Sequence, residues 1–229
     1  MMLRDWSFRR QALPIVFMLI APLVGLARAI HVSPFSGKFT AAHFIPHAFG
    51  FILFWICTLL VYGTDHKGAW LFLVAPGRVW RPFTRGVYAL LWFQLAVMPQ
   101  ALLFVVLAWF WGPGAAALFS VYSLAMSSAW LAVVFRMCDG VPFTKQIQVN
   151  RSTVMIPVMM AGALVMGLFV AAQHVFVFRS AANVLIATAV LSVAAVPLTR
   201  TAFTAVEAKM RYGLSLLTAE STLLYQEID

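Results

Sequence analysis

Six apolar runs, each about as long as a bilayer is thick and separated by short gaps, leave this chain one plausible solvent, and it is not water. They run from Ala12 to Ala29, Ala41 to Tyr62, Gly86 to Trp111, Ala115 to Phe135, Val154 to Phe176 and Ala181 to Phe203. A spanning helix needs roughly 20 mainly apolar residues, because the hydrocarbon core is about 30 Å thick and each residue adds about 1.5 Å. An unpaired backbone amide in lipid costs several kcal/mol, so each run is expected to be helical, and no alternating barrel pattern is present. The expected fold is an all-α integral membrane protein: a bundle of about six transmembrane helices over residues 1–203, then a cytoplasmic C-terminal helix or tail over 204–229. Composition agrees, with 63% hydrophobic and 10% charged residues, where soluble domains hold about half and a quarter.

The basic residues orient the bundle. Thirteen of the 16 Lys and Arg residues fall in the N-terminus, the second gap, the fourth gap and the C-terminal region; only Arg28, Lys38 and Arg179 fall on the other side. By the positive-inside rule both termini and the even gaps are cytoplasmic. The expected location is a bacterial cytoplasmic membrane, crossed several times. A net charge of +9 is compatible with nucleic-acid binding, but that needs a solvated basic stripe, whereas these residues sit between apolar runs and suit anionic lipid headgroups. Ala27-Arg28-Ala29 fits a signal-cleavage pattern, yet the run before it reaches spanning length and reads as an uncleaved first helix. Cys57 and Cys138, at membrane depth and on the cytoplasmic side, are expected as free thiols.

Chemistry is sparse. No Asp or Glu lies in any of the six runs, which removes the intramembrane carboxylate that proton or sodium coupling ordinarily uses. No phosphate-binding loop, carboxylate pair or nucleophile with a visible base nominates an enzyme or a resident cofactor. Prolines at 14, 22, 46, 99, 157 and 197 favour kinks. Small residues, Gly162 and Gly167 in the fifth run and Ala125, Ser127, Ser128 and Ala129 in the fourth, allow close helix contact.

Five histidines remain, one of them (His66) in the cytoplasmic loop. His43 and His47 stand four apart at the start of the second run, His174 ends the fifth, and His31 lies in the first outer loop. His43 with His47 could ligate a metal, and His43 with His174 a haem iron. The plainer reading is interface-level polar residues or pore lining.

The second gap, from Gly63 to Arg85, is too charged at its borders to span and too apolar for a free loop. An amphipathic helix at the inner interface, with Trp70 and Trp80 among headgroups, satisfies both facts, as does a plain interfacial linker. Its pattern of Asp65, Lys67, Ala69-Trp70, Ala75-Pro76 and Arg85-Gly86 resembles the first cytoplasmic loop of bacterial ABC type-2 export permeases. Asp139-Gly140-Val141-Pro142-Phe143 is similar to a short cytoplasmic stretch of larger permease-like proteins. The resemblance implies the membrane-spanning subunit of an ATP-driven exporter. It implies a separate cytoplasmic ATPase contacted through Trp70, Ala75, Pro76, Arg78 and Arg81, and a second permease subunit, homo- or heteromeric. Met1 to Arg10 reads like the interior of a longer permease, so one half of a split or larger subunit is expected. The competing class is a non-transporting anchor or scaffold in a larger complex, with haem or metal on the histidines.

Overall fold

The computed structural model describes residues 30–60, 77–138 and 164–226. Every regular element among them is helical. A 3₁₀ turn at Ala41–Phe44 leads into α1 (Ile45–Leu60). Helices α2 (Gly77–Trp92) and α3 (Met98–Trp111) form one continuous rod through a π turn at Phe93–Val97. Helix α4 spans Pro113–Met137, α5 spans Leu164–Val177 and ends in a second π turn at Gln173–Val177, and α6 spans Ala181–Gln226. Three segments are long and apolar enough to cross a membrane: Val79–Trp111, Pro113–Met137 and Ala181–Lys209. Ala41–Phe54 and Leu164–Val177 are shorter apolar helices. The expected first span, the segment around Trp70 to Pro76 and the stretch Asp139–Phe143 lie outside the described residues.

Local chemistry explains the breaks. Pro99 has no N–H for the Leu95 carbonyl, and the helix widens just ahead of it, so that the Met98 N–H reaches the Phe93 carbonyl. Between α3 and α4, Gly112 adopts φ 79° and ψ 156°, a backbone that side-chain-bearing residues pay heavily to adopt. Pro113 follows at the first helical position, where its fixed φ suits a helix start.

Helix α4 is the centre of the bundle and packs against α1, α3 and α6. Of its apolar window 61% is buried, against 6% for α6. Two apolar clusters lie along it. One, toward Pro113, gathers Ala42, Ile45, Leu107, Phe119, Tyr122 and Phe178; the other, toward Met137, gathers Leu53, Tyr88, Leu131, Phe135, Ala202 and Val206. Trp130 packs against both. A Cβ on Gly50 would stand 2.6–3.0 Å from three Trp130 ring carbons, so α1 reaches α4 only because this residue has no side chain. On the outside, Leu102, Val105 and Trp109 of α3 and Leu185, Ile186, Val190 and Val193 of α6 are exposed. Faces of this extent are costly in water and suited to hydrocarbon.

Four expectations change. Arg78, Trp80, Arg81 and Arg85 are not in a helix separate from the third run; they form the first turns of the α2–α3 rod, whose arginines at spacings of three and four can share one wet face. Residues 204–226 continue α6 without a break, in one 46-residue helix about 69 Å long. Pro46 falls in the opening turn of α1, where no intrahelical N–H is owed, and so does not kink it. Gly167 faces open space and mediates no close contact, whereas Ala125 and Ser127 are buried in the packed centre.

Candidate functional site

A buried polar seam follows one side of α4. Ser120, Ser123 and Ser127, spaced by three and four residues, share a face and are all buried. Serine and threonine in an apolar helix commonly bond the carbonyl four residues back. Ser128 does so to Leu124 at 2.8 Å, Thr188 to Val184 at 2.7 Å and Thr199 to Ala195 at 2.7 Å. Ser120 and Ser123 do not, and their hydroxyls have no hydrogen-bond partner among the described residues. Ser127 accepts from the Gln100 amide of α3 at 3.4 Å, and Gln100 Oε1 has none.

Helices α5 and α1 bring further buried polar side chains against α4. In the π turn that ends α5, Gln173 donates its amide N–H to the Tyr122 hydroxyl at 2.6 Å, while its Oε1 has no hydrogen-bond partner. His47 of α1 faces Gln173, but no hydrogen bond of ordinary geometry closes on either ring nitrogen. Its ring lies 6.0 Å from that of Phe169 and 6.3 Å from that of Trp130. A buried polar group without a partner costs about 1–3 kcal/mol, so five such side chains in one seam are a concentrated expense. π turns also recur at functional sites, and one of the two here carries Gln173 and His174.

At the Pro113 end His43 and His174 meet. His43 Nε2 lies 3.4 Å from His174 Nδ1, with the rings nearly perpendicular at 84°. His43 Nδ1 lies 2.9 Å from the Thr40 carbonyl and 3.2 Å from the Thr40 N–H. Phe39 stacks on His43 at 5.4 Å, and Phe178 meets it edge-on. His43 is fully buried and His174 half-buried. The contact pairs His43 with His174, while His47, four residues on, turns toward Trp130 and Phe169. His31 rests edge-on against Phe110 at 5.1 Å. Among the described residues no group of three or more His, Cys, Asp or Glu is placed to hold a metal ion.

The Met137 end is built differently. The Lys209 ammonium donates to the carbonyls of Arg136 and Cys138, both at 3.0 Å, and so caps the end of α4. Arg81 Nε lies 3.6 Å from Glu207 Oε1, and the Arg85 guanidinium sits 5.9 Å from the centre of the Phe203 ring. Tyr88 and Thr199 hydroxyls share a hydrogen bond of 3.1 Å, and Trp92 donates to Ser128 at 2.9 Å. Cys57 and Cys138 are free and buried, with the Cys138 thiol 3.5 Å from the Cys57 carbonyl. Every one of these contacts ties α2, α4 or α6 to a neighbour.

Of the residues expected at a motor contact, Trp70, Ala75 and Pro76 lie outside the described residues, Arg78 stands in the first turn of α2, and Arg81 pairs with α6. Sequence reading passed over Gln100, Ser120, Ser123, Tyr122 and Gln173. The available signal was the three-four spacing of serines inside an apolar run. Comparison with protein-family models, with curated proteins and with solved structures gives no match for this chain.

Proposed function

We propose that this chain is the membrane-spanning permease subunit of an ATP-driven exporter in a bacterial cytoplasmic membrane. In this reading six spans cross the bilayer, both termini face the cytoplasm, the Met137 end of α4 is the inner end and the Pro113 end the outer. The observation that carries it is the set of polar side chains (His47, Gln100, Ser120, Ser123 and Gln173) that, among the described residues, each keep a buried polar atom without a hydrogen bond around the central helix of a largely apolar bundle. Polar groups at membrane depth are expensive and tend to face a pathway. Open hydrogen-bonding valence along α4 can be met in turn by water or by the polar part of a moving cargo. With no carboxylate in the six runs, the driving force is assigned to a separate ATPase.

The Met137 end suits transmission from such a partner. A push on the first turn of α2, at Arg78 and Arg81, reaches α6 through Glu207 and Thr199 and reaches α4 through Ser128. In this reading Trp70, Ala75 and Pro76 complete the contact. The exposed apolar face of α6 is the side offered to lipid and to a second permease subunit.

Affinity purification of the chain from its native membrane, followed by mass spectrometry, tests the reading. An ATPase should co-purify, and Trp70→Ala with Arg81→Glu should lower the ATPase stimulation by the membrane subunit. Co-purification with a redox or structural complex and no ATPase would replace this reading with the anchor or scaffold. Unchanged stimulation in the double variant would remove the motor contact.

A further inference from the structure

We propose that His43 and His174 form a binding site for a divalent transition-metal ion of the zinc, nickel and copper class at the Pro113 end of the bundle, a site that does not depend on the permease reading. Their facing nitrogens are 3.4 Å apart, longer than the 2.7–3.2 Å of a good nitrogen-donor hydrogen bond. Two imidazole nitrogens on one tetrahedral zinc, each at about 2.0–2.1 Å, stand about 3.3–3.4 Å apart. The pair is thus spaced as two neighbouring ligands around one ion.

The surroundings prepare both rings. His43 Nδ1 lies 2.9 Å from the Thr40 carbonyl and also faces the Thr40 N–H at 3.2 Å; in the tautomer that donates to the carbonyl, Nε2 turns its lone pair toward His174. A backbone carbonyl holding the far nitrogen is the usual outer partner of a metal-bound histidine, fixing tautomer and ring orientation. The rings of Phe39 and Phe178 pack around His43 and His174 itself meets Phe39 edge-on at 5.4 Å. This apolar collar limits ring rotation and lowers the local dielectric.

Donor chemistry selects the ion. Two neutral imidazoles suit zinc, copper and nickel, whereas calcium and magnesium require oxygen ligands. No third protein ligand joins the pair among the described residues, so the remaining coordination positions fall to solvent, reached past the half-buried His174. A site open on one side is able to exchange its ion.

The test uses the full chain without a polyhistidine tag, purified in detergent and stripped with a chelator. Zinc titration by calorimetry should give one ion per chain, and cobalt should compete for it. His43→Ala and His174→Asn should each lower zinc affinity by more than about 100-fold, beyond the 10–100-fold that loss of an outer partner costs. His31→Ala should leave it unchanged. Zinc should also raise the thermal midpoint of the native chain, because a ligand that binds only the folded form stabilises it, and this rise should vanish in His174→Asn. That half-buried position makes His174→Asn the deciding variant if His43→Ala does not fold. Absence of binding by the native chain, or affinity retained in His174→Asn, overturns the proposal.

Discussion

The two ends of α4 are built on opposite principles. Toward Met137 the contacts named above are closed: Lys209 caps the terminal carbonyls, Tyr88 meets Thr199, and Trp92 meets Ser128. From its middle toward Pro113 the same helix passes Gln100, Ser120, Ser123, Gln173 and His47, each with a buried polar atom lacking a hydrogen bond among the described residues, before reaching the His43–His174 pair. Apolar packing does not distinguish the ends, since each has its own buried cluster. The difference is one of degree: among the described residues the Pro113 side gathers five side chains with a buried polar atom lacking a hydrogen bond, while the Met137 end has two, Trp80 Nε1 and Glu207 Oε1. One end ties α2, α4 and α6 together through side-chain contacts; the other gathers most of the unbonded polar atoms and the histidine pair.

Substitutions should separate these roles. The largest effects should be of comparable size at both ends: Phe119→Ala and Leu131→Ala, each at a fully buried position, should cost about 3–5 and 2–5 kcal/mol respectively, read by thermal unfolding in detergent. A marked asymmetry between them would mean that the ends differ in packing after all. Gly50→Ala should follow, at about 1–3 kcal/mol, because the new methyl meets the Trp130 ring; a neutral result would show that α1 can slide away from α4.

Smaller effects sharpen the contrast. Lys209→Ala removes two hydrogen bonds from the end of α4 and should cost about 1 kcal/mol. A double-mutant cycle on Arg81 and Glu207, where the arginine side chain is 64% exposed, should return only about 0.2–1 kcal/mol, falling further in high salt. The smallest change in stability is the most informative. Ser120→Ala with Ser123→Ala should leave the melting temperature unchanged or slightly raised, since neither hydroxyl has a hydrogen bond to lose. A loss of stability similar to that of Lys209→Ala would mean that those serines are structural, and the seam would no longer support a pathway.

Much of the scaffold could be read directly. Apolar runs foretold the helices because hydrocarbon solvent demands both length and internal hydrogen bonding, and Gly112-Pro113-Gly114 marked the turn between α3 and α4 because its backbone suits few other residues. Boundaries were less legible. Arg78 to Arg85 looked like part of an interfacial segment separate from the third span since charge normally ends a span, yet a helix continues past its apolar window wherever one face stays wet. The tail past Thr204 looked separate for the same reason. The candidate site was legible only as loose parts: histidines were conspicuous, while a buried glutamine or serine looks alike whether satisfied or not.

Solvent preference, helix content and the asymmetry of basic gaps were therefore determined by the sequence alone, because they depend on residue type summed over twenty positions. Partnership was decided by tertiary structure. His43 meets His174, 131 residues away, rather than His47, four away, because a 3₁₀ turn and a proline start the helix between the near pair, while the π turn ending α5 carries the distant ring. Which hydroxyls remain unpaired depends likewise on how helices dock, a property of distances through space that no local pattern encodes.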